Sequence, residues 1–122
     1  MIIPNTVTTI KAYCFYNADC IKSATIHDGV TSIKYRAFYD CNGLTNVSIG
    51  SGVLTIGEYA FCYCKNLGLV YCKAINPPGG GYIMFNDNAS DRKIYVPTAS
   101  VDAYKAASYW YNYADAIYGY DF

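Results

Sequence analysis

Ile26-His-Asp-Gly-Val-Thr-Ser-Ile-Lys-Tyr-Arg-Ala-Phe-Tyr-Asp-Cys-Asn-Gly-Leu-Thr-Asn-Val-Ser48 is one period of a repeat. Ile3, Ile26 and Ile49 stand 23 residues apart (26 − 3 and 49 − 26). The same step links Val7, Val30 and Val53; Ile10, Ile33 and Ile56; Phe15, Phe38 and Phe61; Ile21, Leu44 and Leu67; and Ala24, Val47 and Val70. Apolar columns held in one register over a fixed period of this length mark a chain whose units stack and share a core.

Within the quoted unit, Asp28-Gly29 is a turn signal, repeated by Ser51-Gly52, because Gly accepts positive φ and Asp bonds back to nearby backbone. Val30 and Ile33 point inward from a short extended segment. Ala37 and Cys41, four residues apart, predict one side of a helical turn. Leu44, Val47 and Ile49 place a strand at residues 45–49, with equivalents at 22–26 and 68–72. Stacking sets these strands side by side as a parallel sheet. The first unit carries Cys14 and Ala18 where the second carries Ala37 and Cys41. A swap that conserves volume suits a shared core pocket, so Cys14, Cys41 and Cys64 are expected to be buried.

The period is expected to end after Cys72. Asn76-Pro77-Pro78-Gly79-Gly80-Gly81 suits neither strand nor helix. A loop to Asp91, anchored by Ile83, Met84 and Phe85, then leads to a strand at 93–96 stopped by Pro97. Thr98 or Ser100 caps a helix to about Ala107, with Val101, Tyr104 and Ala107 on its apolar face. Trp110, Tyr111, Tyr113 and Ile117 complete an aromatic tail. The domain divides into repeats, 1–74, and a capping module, 75–122.

Nine basic and nine acidic residues, with no basic run, give no footprint for nucleic acid. No apolar run approaches the ~20 residues of a membrane-spanning helix. The start at Met1 joins the repeat directly and lacks a signal-peptide pattern, so the chain is expected to be a segment of a longer protein. Its open first repeat offers an edge strand for self-association.

The six cysteines do not form a metal site: Cys62-x-Cys64 lacks zinc-knuckle spacing, and His27 is far away at a turn. Cys41 and Cys64, on adjacent units, are near enough to bridge, but their inward columns favour buried thiols. No base, third member or paired carboxylates support catalysis. Gly79-Gly80-Gly81 lacks the Lys-Ser/Thr and helix of a phosphate cradle. Asn46-Val47-Ser48 and Asn88-Ala89-Ser90 match the glycosylation pattern, which acts only in a eukaryotic secretory pathway. The candidate catalytic, cofactor-binding and metal-binding sets are all empty.

The 15 tyrosines are the unusual feature. Tyr13, Arg36 and Tyr59 share a column; Tyr16 and Tyr39 share another. Both columns flank the Phe column and are expected to reach solvent. Outward sheet positions run Thr25, Ser48, Tyr71 and Ser23, Asn46, Leu69, turning apolar toward the C-terminal end. Two readings stand: the rings shield a thin core, or Tyr13, Tyr16, Arg36, Tyr39, Tyr59, Leu69 and Tyr71 form a contact surface.

Ala37-Phe38-x-x-Cys41-x-x-Leu44 and Ala60-Phe61-x-x-Cys64-x-x-Leu67 resemble the BspA-like leucine-rich repeats of bacterial cell-surface proteins. Val70-Tyr71-Cys72-Lys73-Ala74 with Pro77-Pro78, then Tyr95-Val96-Pro97, Tyr104-Lys105-Ala106 and Trp110, resemble the closing module of such proteins in Bacteroides-type bacteria. The resemblance implies an α/β repeat: a right-handed leucine-rich-repeat solenoid of about three 23-residue units with a C-terminal strand-helix cap. It also implies a secreted or surface-attached protein whose partners are host or bacterial surface proteins or glycans. The family has no catalytic residues to transfer. A non-enzymatic interaction (adhesion) module is the expectation, with a purely structural spacer or cap of a larger surface protein as the alternative.

Overall fold

The computed structural model describes all residues, 1–122. Eight strands form in chain order: β1 Thr9–Ile10, β2 Ser23–Ile26, β3 Ser32–Ile33, β4 Asn46–Ile49, β5 Thr55–Ile56, β6 Leu69–Cys72, β7 Lys93–Pro97 and β8 Ile117–Tyr120. One helix, α1 Val101–Ala106, is flanked by 3-10 segments Thr98–Ser100 and Tyr111–Ala116. The chain winds through parallel strands on two sides. One sheet runs β2-β4-β6-β7-β8 and the other β1-β3-β5.

The register of the larger sheet follows the sequence columns: Ala24 pairs with Val47 and Val47 with Val70. The column then continues through Ile94 and Ile117. The expectation that the period ends at Cys72 is therefore corrected. One extra residue enters between Lys73 and Gly79, since β6 pairs with β7 at a 24-residue step and Thr55 bridges to Gly79. The proline–glycine run is part of this winding. A Cβ on Gly81 would stand 2.3 Å from the Gly57 carbonyl carbon, so only glycine lets the two backbones meet there.

The third side also differs from expectation. Residues 35–40 make no α-helix; they form a six-residue turn, repeated at 12–17, 58–63 and 82–87. Its second and sixth residues hold positive φ in every copy: Tyr13 and Asn17, Arg36 and Asp40, Tyr59 and Tyr63, Ile83 and Asp87. This alternation divides the N–H groups between two uses. Ala37 and Tyr39 donate back to Lys34 O and Arg36 O, while Arg36, Phe38 and Asp40 donate onward to Glu58, Ala60 and Cys62 carbonyls at 3.0, 2.8 and 2.9 Å. A helix would satisfy every N–H locally; here half of them join successive levels. The spacing of Ala37 and Cys41 fits either geometry.

The core is one cluster built from these columns. Phe15, Phe38, Phe61 and Phe85 stack with ring centroids 5.0, 5.0 and 5.3 Å apart. Cys41 and Cys64 are buried, and their thiols donate to Phe15 O and Phe38 O. One level on, the Asn88 amide takes that role, donating to Phe61 O at 2.8 Å. Burial of Cys14 is corrected: it is exposed, because no earlier level covers the first unit. Met1–Ile3 adds only a fragment of strand, with Ile2 bridging to Thr25.

The C-terminal end is closed by aromatic side chains whose polar tips meet spare backbone groups. Trp110 Nε1 donates to Pro78 O at 2.7 Å and Tyr104 Oη to Ala74 O at 2.5 Å. Tyr113 Oη accepts the Phe85 N–H at 3.1 Å, a bond that earlier levels make to a carbonyl. Neither Thr98 nor Ser100 caps α1 through its side chain; the Ser100 hydroxyl donates to Ile75 O instead. Tyr104 is the buried face of α1, with Val101 and Ala107 packed partly against the core.

Candidate interaction surfaces

The positive-φ corners of the turns place a band of tyrosines on the outside of the Phe stack. Tyr16 and Tyr39 stack at 5.4 Å with rings 4° from parallel. Tyr13 meets Tyr16 and Tyr35, both at 5.5 Å. Tyr59 meets Tyr35, Tyr39 and Tyr82, and Tyr39 meets Tyr63. The structure thus brings together five of the expected residues, Tyr13, Tyr16, Arg36, Tyr39 and Tyr59, and adds Tyr35, Tyr63 and Tyr82. The columns of the added three also hold Asn17, Asp40 and Glu58, which gave them no aromatic signature. Tyr82 follows Tyr59 by 23 residues, but the inserted residue moves it into the Tyr35 column.

Arg36 lies at the centre of the band. Its guanidinium carbon is 5.1, 4.8 and 5.0 Å from the ring centres of Tyr35, Tyr39 and Tyr59. Its Nε is buried without a hydrogen-bond partner, so the rings are its main counterpart through their π faces. Desolvation raises the Tyr35 and Tyr39 phenols above the usual tyrosine range, tempered by the nearby Arg36 charge. These two rings therefore stay neutral beside the fixed Arg36 cation. The rings remain available: Tyr13, Tyr16, Tyr63 and Tyr82 are each 41–51% exposed.

Leu69 and Tyr71 do not join this band. They lie on the larger sheet, a different side of the molecule. Tyr71 stacks on Tyr95 at 5.4 Å and meets Tyr120 and Phe122 edge-on, which leaves it half-buried under the chain's own tail. Leu69 stays 38% exposed beside this cluster. The expected single surface is thus two surfaces, separated by the core.

His27 is a turn residue. Its Nδ1 accepts the Gly29 N–H at 3.0 Å and its Nε2 lies 2.9 Å from Pro4 O, an arrangement that puts the proton on Nε2. All six cysteines are free: Cys14 and Cys20 are exposed, the other four buried. Burial pushes the Cys62 and Cys72 thiols up to about 11. The neighbouring Cys41 thiol, followed by burial, pushes Cys64 up as well. No group of three or more His, Cys, Asp or Glu residues is arranged to hold a metal ion.

The largest groove, about 560 Å³, opens at the C-terminal end of the turn side between Tyr82, Asn86, Asp87, Arg92, Asn112 and Tyr113. Arg92 Nη1 donates to Phe85 O and to Asn88 Oδ1, and its guanidinium lies 5.0 Å from the centre of the Tyr113 ring.

No curated protein matches the chain. Residues 1–107 match six copies of the BspA type Leucine rich repeat region. Parallel strands at a 23-residue step, the inward Phe and Cys columns and this match over most of the length agree: the chain belongs to the BspA-type leucine-rich-repeat family.

Proposed function

We propose that the chain is a non-enzymatic interaction module: part of a right-handed solenoid in a secreted or surface-attached protein of Bacteroides-type bacteria, contacting host or bacterial surface proteins or glycans. The observation that carries this reading is the tyrosine band around Arg36. It presents rings held by one another on a rigid backbone, with little side-chain entropy left to lose on contact. Aromatic and Arg side chains dominate the energetics of protein interfaces. The family match supports a repeat that mediates protein contacts. No helix of the chain is long and apolar enough to cross a membrane.

Contacts along such a band are shallow and individually weak, so arrays gain by multivalency. Replacing Tyr16, Tyr39 and Tyr59 together by Ser is expected to weaken attachment to immobilised matrix proteins and glycans at least about tenfold, with the far-UV spectrum retained. Undiminished attachment by the folded triple variant would favour the alternative, a spacer whose tyrosines only shield the Phe stack.

A further inference from the structure

We propose a second binding site, bordering the tyrosine band at Tyr82: the groove beside Arg92 takes an acidic sugar, its carboxylate at the Arg92 guanidinium and its hydroxyl oxygens at the Ile83 and Asp87 N–H groups.

The argument starts from the ladder between levels. In the first three turns the two positive-φ residues each donate an N–H to the next level. Tyr13 and Asn17 donate to Tyr35 O and Tyr39 O; Arg36 and Asp40 to Glu58 O and Cys62 O; Tyr59 and Tyr63 to Tyr82 O and Asn86 O. The fourth turn has the same backbone, with Ile83 at φ 54° and Asp87 at φ 57°. The level beyond it is built differently, from α1 and Tyr111–Ala116, and supplies no matching carbonyls. Only the middle donor, Phe85 N–H, finds a partner, in Tyr113 Oη. The N–H groups of Ile83 and Asp87 have no acceptor, and both residues line the groove.

Main-chain N–H groups left without an acceptor favour a ligand oxygen that supplies one. Here a cation stands beside them. Arg92 touches only neutral acceptors, Phe85 O and Asn88 Oδ1, and its Nε is buried without a partner. Burial works against its charge, and Tyr113 is the one titratable neighbour that bears on it; an arginine nevertheless stays protonated. A half-buried cation met by no carboxylate leaves a place for one from a ligand. The rest of the lining suits hydroxyls. Asn86 and Asn112 offer amides, Asp87 an exposed acceptor, and Tyr82 an exposed ring. A compact inorganic anion at Arg92 would leave the amides, the Asp87 acceptor and the ring unused. A carboxylated sugar uses all of them.

The test is titration of the full chain with sodium galacturonate and glucuronate, followed by amide NMR shifts and calorimetry. Galactose, glucose, N-acetylglutamate and sulfate serve as comparisons. Binding on the order of 1 mM is expected for a monosaccharide, about the lower end of useful affinities, with the Ile83 and Asp87 amide signals moving most. Arg92→Gln should abolish it. Because Arg92 also supports Phe85 and Asn88, Asn112→Asp gives the second reading: its side chain makes no hydrogen bond within the chain, so the added charge should cut uronate affinity at least about tenfold without unfolding. A Tyr16, Tyr39→Ser variant, which keeps the Tyr59–Tyr82 contact, should bind the uronates as the natural chain does, which separates this site from the rest of the band. Equal binding of the neutral sugars, of N-acetylglutamate or of sulfate would overturn the acidic-sugar assignment. Unmoved Ile83 and Asp87 signals, or uronate affinity unchanged by Asn112→Asp, would overturn the site itself.

Discussion

Phe38→Ala tests the stacking on which the fold depends. Phe38 is fully buried, with Phe15 5.0 Å to one side and Phe61 5.0 Å to the other. Truncating a buried Phe costs ~3–5 kcal/mol through lost transfer energy and the cavity left behind. Both ring pairs are lost with it, at roughly 0.5–1.5 kcal/mol each beyond area burial, so the upper half of that range is expected. Phe15→Ala loses one ring pair and opens no enclosed cavity, because Phe15 is half-buried at the open end; its expected cost is roughly 1–2 kcal/mol. A domain of this size has on the order of 6–18 kcal/mol of total stability, so both variants should fold. Stability in stacked repeats is close to a sum of neighbouring interfaces. Urea unfolding followed by far-UV circular dichroism gives the global transition. The single Trp110, buried at the C-terminal end, reports that end alone. Phe38→Ala should lower the midpoint more than Phe15→Ala and separate the two signals. Equal costs for the two variants, or a Phe38→Ala cost under about 1 kcal/mol, would refute the stacking argument.

Thiol labelling of the native protein should proceed quickly at two groups, Cys14 and Cys20, and slowly at Cys41, Cys62, Cys64 and Cys72, with all six reacting after denaturation; fast labelling of four or more would contradict the columns. Alkali should destabilise the fold. The Cys72 thiol is raised to about 11 by burial, so its contribution is complete below the unfolded pKa, about 8.5, and fades as pH rises through 11. At about 1.4 kcal/mol per pH unit between the two values this is on the order of 3 kcal/mol, and Cys72→Ala should flatten the fall in stability above pH 9. At the open end, Met1–Ile3 leaves a strand edge, and the carbonyls of Ala12, Cys14 and Tyr16, counterparts of acceptors in later levels, take no hydrogen bond. Sedimentation at high concentration should show weak dimers that Phe15→Lys disperses; a monomer throughout would count against the exposed end.

The columns were legible because every inward position recurs at a fixed step and the core accepts little else: Val30, Ile33, Phe38, Leu44 and Val47 are all fully buried. The continuation beyond Cys72 was not. One inserted residue shifts the register, and the residues that preserve the geometry change type: Met84 follows Ala60, and Asn88 replaces Cys64 while making the same bond to the carbonyl one level back. The turn was read as helical because Ala37 and Cys41 share a side in both conformations; what separates the two is bonding to Glu58, Ala60 and Cys62 on the next level, which no local pattern encodes. Tyr13, Tyr16, Arg36, Tyr39 and Tyr59 were visible as columns that the core did not explain. The groove was invisible, since its donors are main-chain groups of Ile83 and Asp87, whose availability depends on what the following level fails to supply.

The tyrosine band can be weighed against the fold's own needs. Tyr13, Tyr59 and Tyr63 occupy left-handed backbone positions, where a residue with a Cβ costs roughly 1–2 kcal/mol and Gly, Asn or Asp fit more readily. Asn17, Asp40 and Asp87 show that this chain uses such residues at three of the eight corners. Ring contacts worth roughly 0.5–1.5 kcal/mol each offset the strain at Tyr13, Tyr59 and Tyr63 and leave little surplus. Tyr13 and Tyr63 keep 50% and 41% of their surface in solvent, so much of each ring covers nothing in the chain. Stability alone therefore gives no strong reason for tyrosine at these corners. What tyrosine adds there, and Asn or Gly would not, is a rigid exposed ring held beside the Arg36 charge, which is the feature a binding partner can use.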